Sequence, residues 1–510
     1  MSNGRTGMIG EHNIALLAEQ AFGRHGDHES VFFEGRWYRS GEMFDQTTRL
    51  AAGLTGLGIA PGDRVAVMMA NCPEVGIAYS ALWRAGAIVT PTIFLLPPQE
   101  LRHILEDCGA RAVITTPEFL PTVRAATDGV ASVAWIICLG PEEDGIVSLA
   151  SLLQAEPGAI VARGDTDPAA LLYTGGTTGR AKGVVLTHEN VWWCARGSYE
   201  ASDVPGITRS LTPLPLSHAF GLITSVVSFH SKERGIGVLM RWFDPMQWLE
   251  LAQEHRIQRG LVVPSMLQIL LGMPIEDYDL SSLHSLVCGS SPLAPEVALE
   301  FERRVPNVQI LEGYGCTESG GIASVNPAGG RKLGSVGLPL PGYQVKILDD
   351  SGAEVPGGEL GEICVSARGV MKQYWGSPEA TEETLRNGWL HTGDIGRVDE
   401  DGYIWIADRK KDLIIRGGFN VFPRDVEDVL LQHSDVVMAG VIGRPDTKLG
   451  EEVVAFVALR PEATAAAQDL IDFSKERLGR YKYPREVRIV PAIPLTPIGK
   501  VDRKALRAAL

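Results

Sequence analysis

From residue 64 onward the apolar and polar positions of this chain alternate between two textures. Short apolar runs have the look of buried strands. Between them lie stretches with apolar residues three and four apart, as in a helix with one buried stripe. The pattern predicts strands at 64–69, 87–89, 112–115 and 169–172, with helices at 73–85 and 98–108 among them. It resumes with helices at 188–200, 244–255 and 295–304 and strands at 210–214, 261–263, 285–288 and 308–311. Asp244 beside Pro245 reads as an N-cap followed by the first helical residue. The segment 140–167, richer in Gly, Pro and acids, reads as a connection. Such alternation implies an α/β fold of doubly wound, largely parallel sheets covered by helices on both faces.

The texture changes at Gly334. Up to about residue 407 the chain shows turns and short alternating strands, with DDSG at 349–352 and DEDG at 399–402 as hairpin turns. This predicts a small β-barrel-like subdomain. The charged run DRKKD at 408–412 has no apolar face and marks a boundary. Beyond it, strands at 413–415, 436–442, 453–458 and 486–490 and helices at 424–432 and 467–478 predict a small α+β unit. The division is therefore a large N-terminal domain, 1–408, and a compact C-terminal domain, 409–510, on a hinge near residue 411.

Composition narrows the class. A chain of 510 residues with 45% hydrophobic and 21% charged residues is an ordinary globular protein. Its net charge of −15 argues against a nucleic-acid or anionic-membrane binder, so a polyanionic ligand must meet a local basic patch. The seven cysteines are dispersed without a C-x-x-C pair, which fits free thiols in a reducing compartment and lacks zinc-ligand spacing. Residues 1–20 do not join a basic region to an apolar run, and no apolar stretch reaches the ~18 residues of a transmembrane segment. A cytoplasmic protein is expected. Oligomeric state does not follow from the sequence, a homodimer being one option.

Candidate chemistry gathers at strand ends, where open parallel sheets bind ligands. Three polar, glycine-bearing ends stand out at 174–183, 289–291 and 314–318. The first, LYTGGTTGRAKGV at 172–184, packs four glycines, three threonines and Lys182 behind an apolar run. Such a loop turns sharply and offers backbone N–H groups, hydroxyls and a cation to a phosphate. It is not the NTPase P-loop, because Ala181 precedes Lys182 and Gly183 follows it.

This loop resembles the signature Y-T-S-G-S/T-T-G-x-P-K-G of the adenylate-forming enzymes, which include acyl-CoA synthetases, luciferases and peptide-synthetase adenylation domains. Gly175 stands for the family's serine and Ala181 for its proline. The resemblance covers nearly the whole chain and implies ATP, Mg²⁺ and CoA as ligands. It assigns Thr174, Gly175, Gly176, Thr177, Thr178 and Gly179 to the phosphates, with Lys182 assisting. YGCTE at 314–318 would supply Tyr314 as adenine platform, Thr317 as phosphate contact and Glu318 as magnesium ligand. Chemistry agrees, since a carboxylate beside a phosphate needs a cation between them. Gly289, Ser290 and Ser291 stand where the family holds adenine through its backbone. Asp394 in HTGD would hold the ribose diol, which suits a bidentate carboxylate. Arg409 would contact ribose and Lys411 would be the hinge, with Gly417, Gly418 and Phe419 lining a thiol tunnel. Lys500, in PLTPIGKVDR at 494–503, would be catalytic, its ammonium stabilising charge as a carboxylate meets the α-phosphate. His218, in PLPLSHAFG at 213–221, would face the acyl site.

The implied activity is that of an acyl-CoA synthetase: a small-molecule carboxylic acid is adenylated by ATP and then passed to CoA after a mobile C-terminal domain rotates. A stand-alone ligase charging a carrier protein shares the first step. No carboxylate follows His218, which disfavours an α-amino acid, and with no carrier domain expected after Leu510 a megasynthase fragment is disfavoured. Retention of Lys500, Glu318 and Asp394 argues against a non-catalytic nucleotide binder. By resemblance the acyl pocket is lined from 220–227, 263–266, 289–291 and 313–321, whose residues are small and apolar, which suits an uncharged fatty or aromatic acid. No cation is aimed into it in this reading, which disfavours dicarboxylic acids.

Overall fold

The computed structural model describes residues 8–174, 181–461, 463–496 and 500–510. The alternation at 64–115 builds the middle of one sheet. Edge to edge it runs Gln373–Tyr374, Lys182–Thr187, Pro168–Thr174, Ile88–Pro91, Arg64–Met68, Ala112–Thr115, Trp135–Cys138 and Val147–Ser148. Its central strands are apolar on both faces because both faces are covered. In Arg64–Met68, Val65 and Val67 join one core, while Ala66 and Met68 join the other. Helix Pro98–Cys108 packs on the outer face through Leu101 and Leu105. It keeps its predicted bounds because Pro98 opens it and Gly109, left-handed at φ 58°, closes it.

A second sheet runs Leu338–Pro339, Ser324–Val325, Gln309–Tyr314, Ser285–Cys288, Arg259–Val262, Arg209–Thr212, Ile236–Leu239, Glu29–Phe33 and Arg36–Arg39. Trp248, Leu267 and Phe301 from three helices cover one face. Helices His188–Ser202 and Ala219–Val227 pack on the first sheet's inner face, and Phe220 also meets Leu261 and Val287 of the second. The layers are thus helices, sheet, helices, sheet, helices.

Two features depart from simple alternation. The chain leaves at Thr174 and returns at Lys182 as its antiparallel partner, because the connection is too short for a crossover helix. The N-terminal helices Ile14–His25 and Ser40–Gly56, with the hairpin Glu29–Phe33 and Arg36–Arg39, precede the region that the pattern covered.

The segment after Gly334 forms an antiparallel sheet of Tyr343–Leu348, Gly361–Ala367, Trp389–Val398, Leu385–Arg386 and Ile404–Arg409, curled over Ile347, Ile363, Val365 and Ile404. Asp399 caps the turn at 399–402 by accepting the N–H groups of Asp401 and Tyr403. The last segment forms a further sheet of Phe419–Val421, Ile414–Arg416, Gly450–Leu459, Val436–Asp446 and Glu486–Ile489, with its own cores around Val453 and Val454. Among the described residues no helix is long and apolar enough to cross a membrane.

Candidate active site

The ends of both large sheets open into a cleft of about 1760 Å³, which the C-terminal segment reaches as well. Gly289 follows strand Ser285–Cys288 and Gly313 lies near the end of the adjacent strand, and a Cβ on Gly289 would lie 3.0 Å from the Gly313 carbonyl oxygen. Ser290 takes a left-handed φ of 72°, a strained conformation for a side chain other than glycine. Gly315 lets the YGCTE segment turn tightly, since a Cβ there would come within 2.5 Å of the Gly321 carbonyl oxygen. Thr317 then begins the single turn Thr317–Ser319.

Asp394 is 4% exposed and both of its carboxylate oxygens are engaged. Tyr314 Oη donates to Oδ2 at 2.7 Å, and Arg409 Nε lies 3.0 Å from Oδ1. Strand pairing sets Arg409 directly opposite Asp394. Glu362 Oε1 accepts the Gly393 N–H at 3.1 Å, and His391 Nδ1 sits 3.2 Å from the other Glu362 oxygen, so the part of the strand carrying Asp394 is held from the neighbouring strand.

Lys500 enters the same cleft from the C-terminal segment. Its carbonyl accepts the Thr496 N–H at 2.7 Å, and its own N–H donates to Thr496 Oγ1 at 3.1 Å. Burial pushes its ammonium down to about 8; the Arg409 guanidinium adds to this and Asp394 opposes it. His218 caps helix Ala219–Val227, its Nδ1 accepting the Phe220 N–H at 3.4 Å, which leaves the proton of the neutral ring on Nε2. Burial and the Lys500 charge push His218 down to about 4, so it is neutral near pH ~7.

Across the cleft, Lys182 Nζ stands 5.2 Å from the centre of the Tyr374 ring, a cation–π contact. Tyr374 Oη donates to Glu318 Oε1 at 2.7 Å, and the Glu318 carbonyl accepts the Met371 N–H at 2.8 Å. Tyr374 pairs with Val184 at the sheet edge, which is what places its ring between the lysine and the acid.

Residues 17–375 match the AMP-binding enzyme family, and residues 425–500 match the AMP-binding enzyme C-terminal domain. The chain belongs to the AMP-binding enzymes. It is 34% identical to a long-chain-fatty-acid–CoA ligase of Bacillus subtilis (strain 168), over 96% of this chain and 93% of that protein. It is 35% identical to the fatty acid–[acyl-carrier-protein] ligase ScoC of Streptomyces coeruleorubidus, over 95% and 94%. Among solved structures it is similar to the anthranilate CoA ligase AuaEII in complex with anthranoyl-AMP, with a TM-score of 0.90 and 27% identity, covering 98% of this chain and 97% of that one. It is accordingly an acid–thiol ligase by family.

In this AMP-binding enzyme the residues singled out in the sequence fall into three groups. Thr174, Lys182, His218, Gly289, Ser290, Ser291, Tyr314, Thr317, Glu318, Asp394, Arg409, Lys411 and Lys500 line one cleft. Gly417, Gly418 and Phe419 do not: the two glycines form the turn after Ile414–Arg416, and Phe419, which opens the next strand, is 58% exposed and stacked on Tyr481 at 4.9 Å. Gly175, Gly176, Thr177, Thr178 and Gly179 lie outside the described residues. Tyr374 was missed because a two-residue strand carries no periodicity. Arg259 corrects the expectation that no cation faces the acyl cavity. Its strand begins at Arg259 rather than at residue 261, and its side chain lines the cleft.

Proposed function

We propose that this enzyme adenylates a fatty or aromatic carboxylic acid with ATP and transfers the acyl group to CoA. The observation that carries the reading is the position of Lys500, whose ammonium reaches from the C-terminal segment to the Asp394–Arg409 pair beside His218. In the first step a carboxylate oxygen attacks the α-phosphorus of ATP, the bond to the β-phosphate bridging oxygen breaks, and pyrophosphate leaves with the electron pair. Lys500 stabilises the charge that gathers at the α-phosphate, and Lys182 takes the outer phosphates. Asp394 accepts the ribose hydroxyls, Thr317 donates to phosphate, and Tyr314 with the 289–291 backbone receives the adenine. His218, neutral with its proton on Nε2, orients the acid.

Glu318 fits Mg²⁺: it is a hard oxygen donor with Oε1 taken by Tyr374 and, among the described residues, no hydrogen bond on Oε2, which could meet a cation. The ion, when bound, neutralises phosphate charge next to that carboxylate.

In the second step the CoA sulfur attacks the acyl carbon, the bond to the AMP oxygen breaks, and the thiol proton is lost. Phe419 and Gly417–Gly418 stand outside the cleft in this arrangement, so we take residues 409–510 to turn about Lys411 between the steps, withdrawing Lys500. Similarity to ScoC supports a second reading, in which a carrier-protein thiol replaces CoA. ATP–pyrophosphate exchange over a panel of acids, with CoA consumption followed in parallel, tests both. Acid-dependent exchange that is lost in Lys500→Ala is expected. No exchange with any acid would refute adenylation, and exchange without CoA consumption would favour the carrier.

A further inference from the structure

The ligase reading, on which this inference rests, leaves one charged group in the acyl cavity without a task. In register, parallel strands place paired residues in rows across one face of a sheet. Ser210, Arg259, Ser285 and Gln309 form such a row on the second sheet. Two residues further on, Leu261, Val287 and Leu311 form an apolar row facing the same way. Two more reach Val263, Gly289 and Gly313 at the strand ends beside the adenylation site. At a rise of about 3.3 Å per residue, Arg259 starts ~13 Å behind those ends. It lines the same cleft as Leu261, Val287 and Tyr314.

Among the described residues, no hydrogen bond or ion pair engages the Arg259 guanidinium. Asp203, the acid that acts on it, is exposed and attracts it only at longer range. Ser210 spends its hydroxyl on the Ile236 carbonyl. A half-buried guanidinium without a partner is costly, and a cavity meant for a plain hydrocarbon tail would avoid it. The apolar row in front of it demands hydrocarbon in the middle of the ligand. The arginine behind that row offers planar donors suited to oxygen at its end.

We propose that Arg259 selects acids that carry an oxygen acceptor, a carboxylate or a hydroxyl or phenol oxygen, at the end remote from the reacting carboxyl. The test is ATP–pyrophosphate exchange by the full chain on matched acids. One set is a straight-chain monocarboxylic acid with its ω-hydroxy and ω-carboxy counterparts; the other is an arylpropenoic acid with and without a para-hydroxyl. In wild type, kcat/KM for an oxygen-bearing member should exceed that of its plain counterpart by about 10–100-fold, the worth of a charge-assisted hydrogen bond. Arg259→Leu should erase or reverse that ratio, and Arg259→Lys should keep part of it for the ω-carboxy acid. A lead for the ω-carboxy acid identifies an anionic tail, and a lead for the phenol an aromatic one; both support the proposal. Equal or better use of the plain acids by wild type overturns it while leaving the ligase reading standing. That comparison needs no variant to fold. A parallel loss on all acids in Arg259→Leu also overturns it, marking Arg259 as a structural partner of Asp203. Exchange with no acid at all overturns the reading beneath it.

Discussion

Tyr314 and Asp394 are joined by a 2.7 Å hydrogen bond from Oη to Oδ2, which ties the end of a strand in the second large sheet to strand Trp389–Val398 of the small antiparallel sheet. Arg409 holds the other Asp394 oxygen, so this carboxylate is oriented before any nucleotide arrives. If it receives the ribose, Asp394→Ala should raise the KM for ATP by about 10–100-fold with a smaller effect on kcat. Tyr314→Phe keeps the ring and removes only the hydroxyl, and should cost about 3–10-fold. Exchange kinetics at varied ATP measure both, and an unchanged KM in Asp394→Ala would remove Asp394 from the nucleotide site.

Lys500 has a lowered pKa because its ammonium is buried beside Arg409. The protonated form is the one that stabilises phosphate charge. The kcat/KM for adenylation, which reports the free enzyme, should therefore fall as pH rises through about 8. Lys500→Arg, charged throughout this range, should flatten the alkaline limb even if its maximum is lower. Lys500→Ala should lose about 100–1000-fold in exchange. With acyl-adenylate supplied directly it should still form thioester, because that step is assigned to the arrangement in which Lys500 is withdrawn.

The parts of this enzyme legible in its sequence are those whose cause is local. Helices Pro98–Cys108 and Pro295–Arg304 open on a proline at N1, and strands Ala112–Thr115 and Ser285–Cys288 are short apolar runs; all four keep their predicted bounds. Motif residues such as Glu318 and Asp394 also stood out, through the resemblance and because a carboxylate beside phosphate needs a cation and a bidentate carboxylate suits a ribose diol. What stayed hidden depends on partners far along the chain. Arg259 fell outside the strand predicted at 261–263, since its place in a strand comes only from pairing with Ser210 and Ser285. The antiparallel return at Lys182 and the edge strand Gln373–Tyr374 are long-range pairings with no local signature.

Glu312, buried, and Asp428, half-buried, are acids at the meeting of the second sheet and helix Pro423–Leu431, with Arg424 acting on both. Burial pushes Glu312 up to about 7 and Asp428 up to about 6. An acid raised in the folded state binds more protons there than in the unfolded chain, so stability falls as pH rises between the two values. For Glu312 that window runs from 4.5 to about 7, with a slope approaching ~1.4 kcal/mol per pH unit. Thermal unfolding across this range should show wild type losing stability with rising pH, and Glu312→Gln should lose less. An identical slope in the variant would mean that Glu312 ionises freely in the fold.

Tyr374 links two ligand-facing groups, with its ring under Lys182 and its hydroxyl on Glu318. Two substitutions separate these contacts. Tyr374→Phe keeps a ring for the ammonium but frees Glu318 Oε1, so its effect should appear in the Mg²⁺ concentration needed for half-maximal exchange. The KM for ATP should stay within about threefold of wild type, since the cation–π contact survives. Tyr374→Ala removes both contacts and should raise that KM by about 3–10-fold further, the value of a partly desolvated cation–π pair plus the loss of a fixed lysine position. If Phe and Ala behave alike in ATP and Mg²⁺ dependence, the ring does not position Lys182, and Tyr374 serves only to pin the edge strand to the sheet.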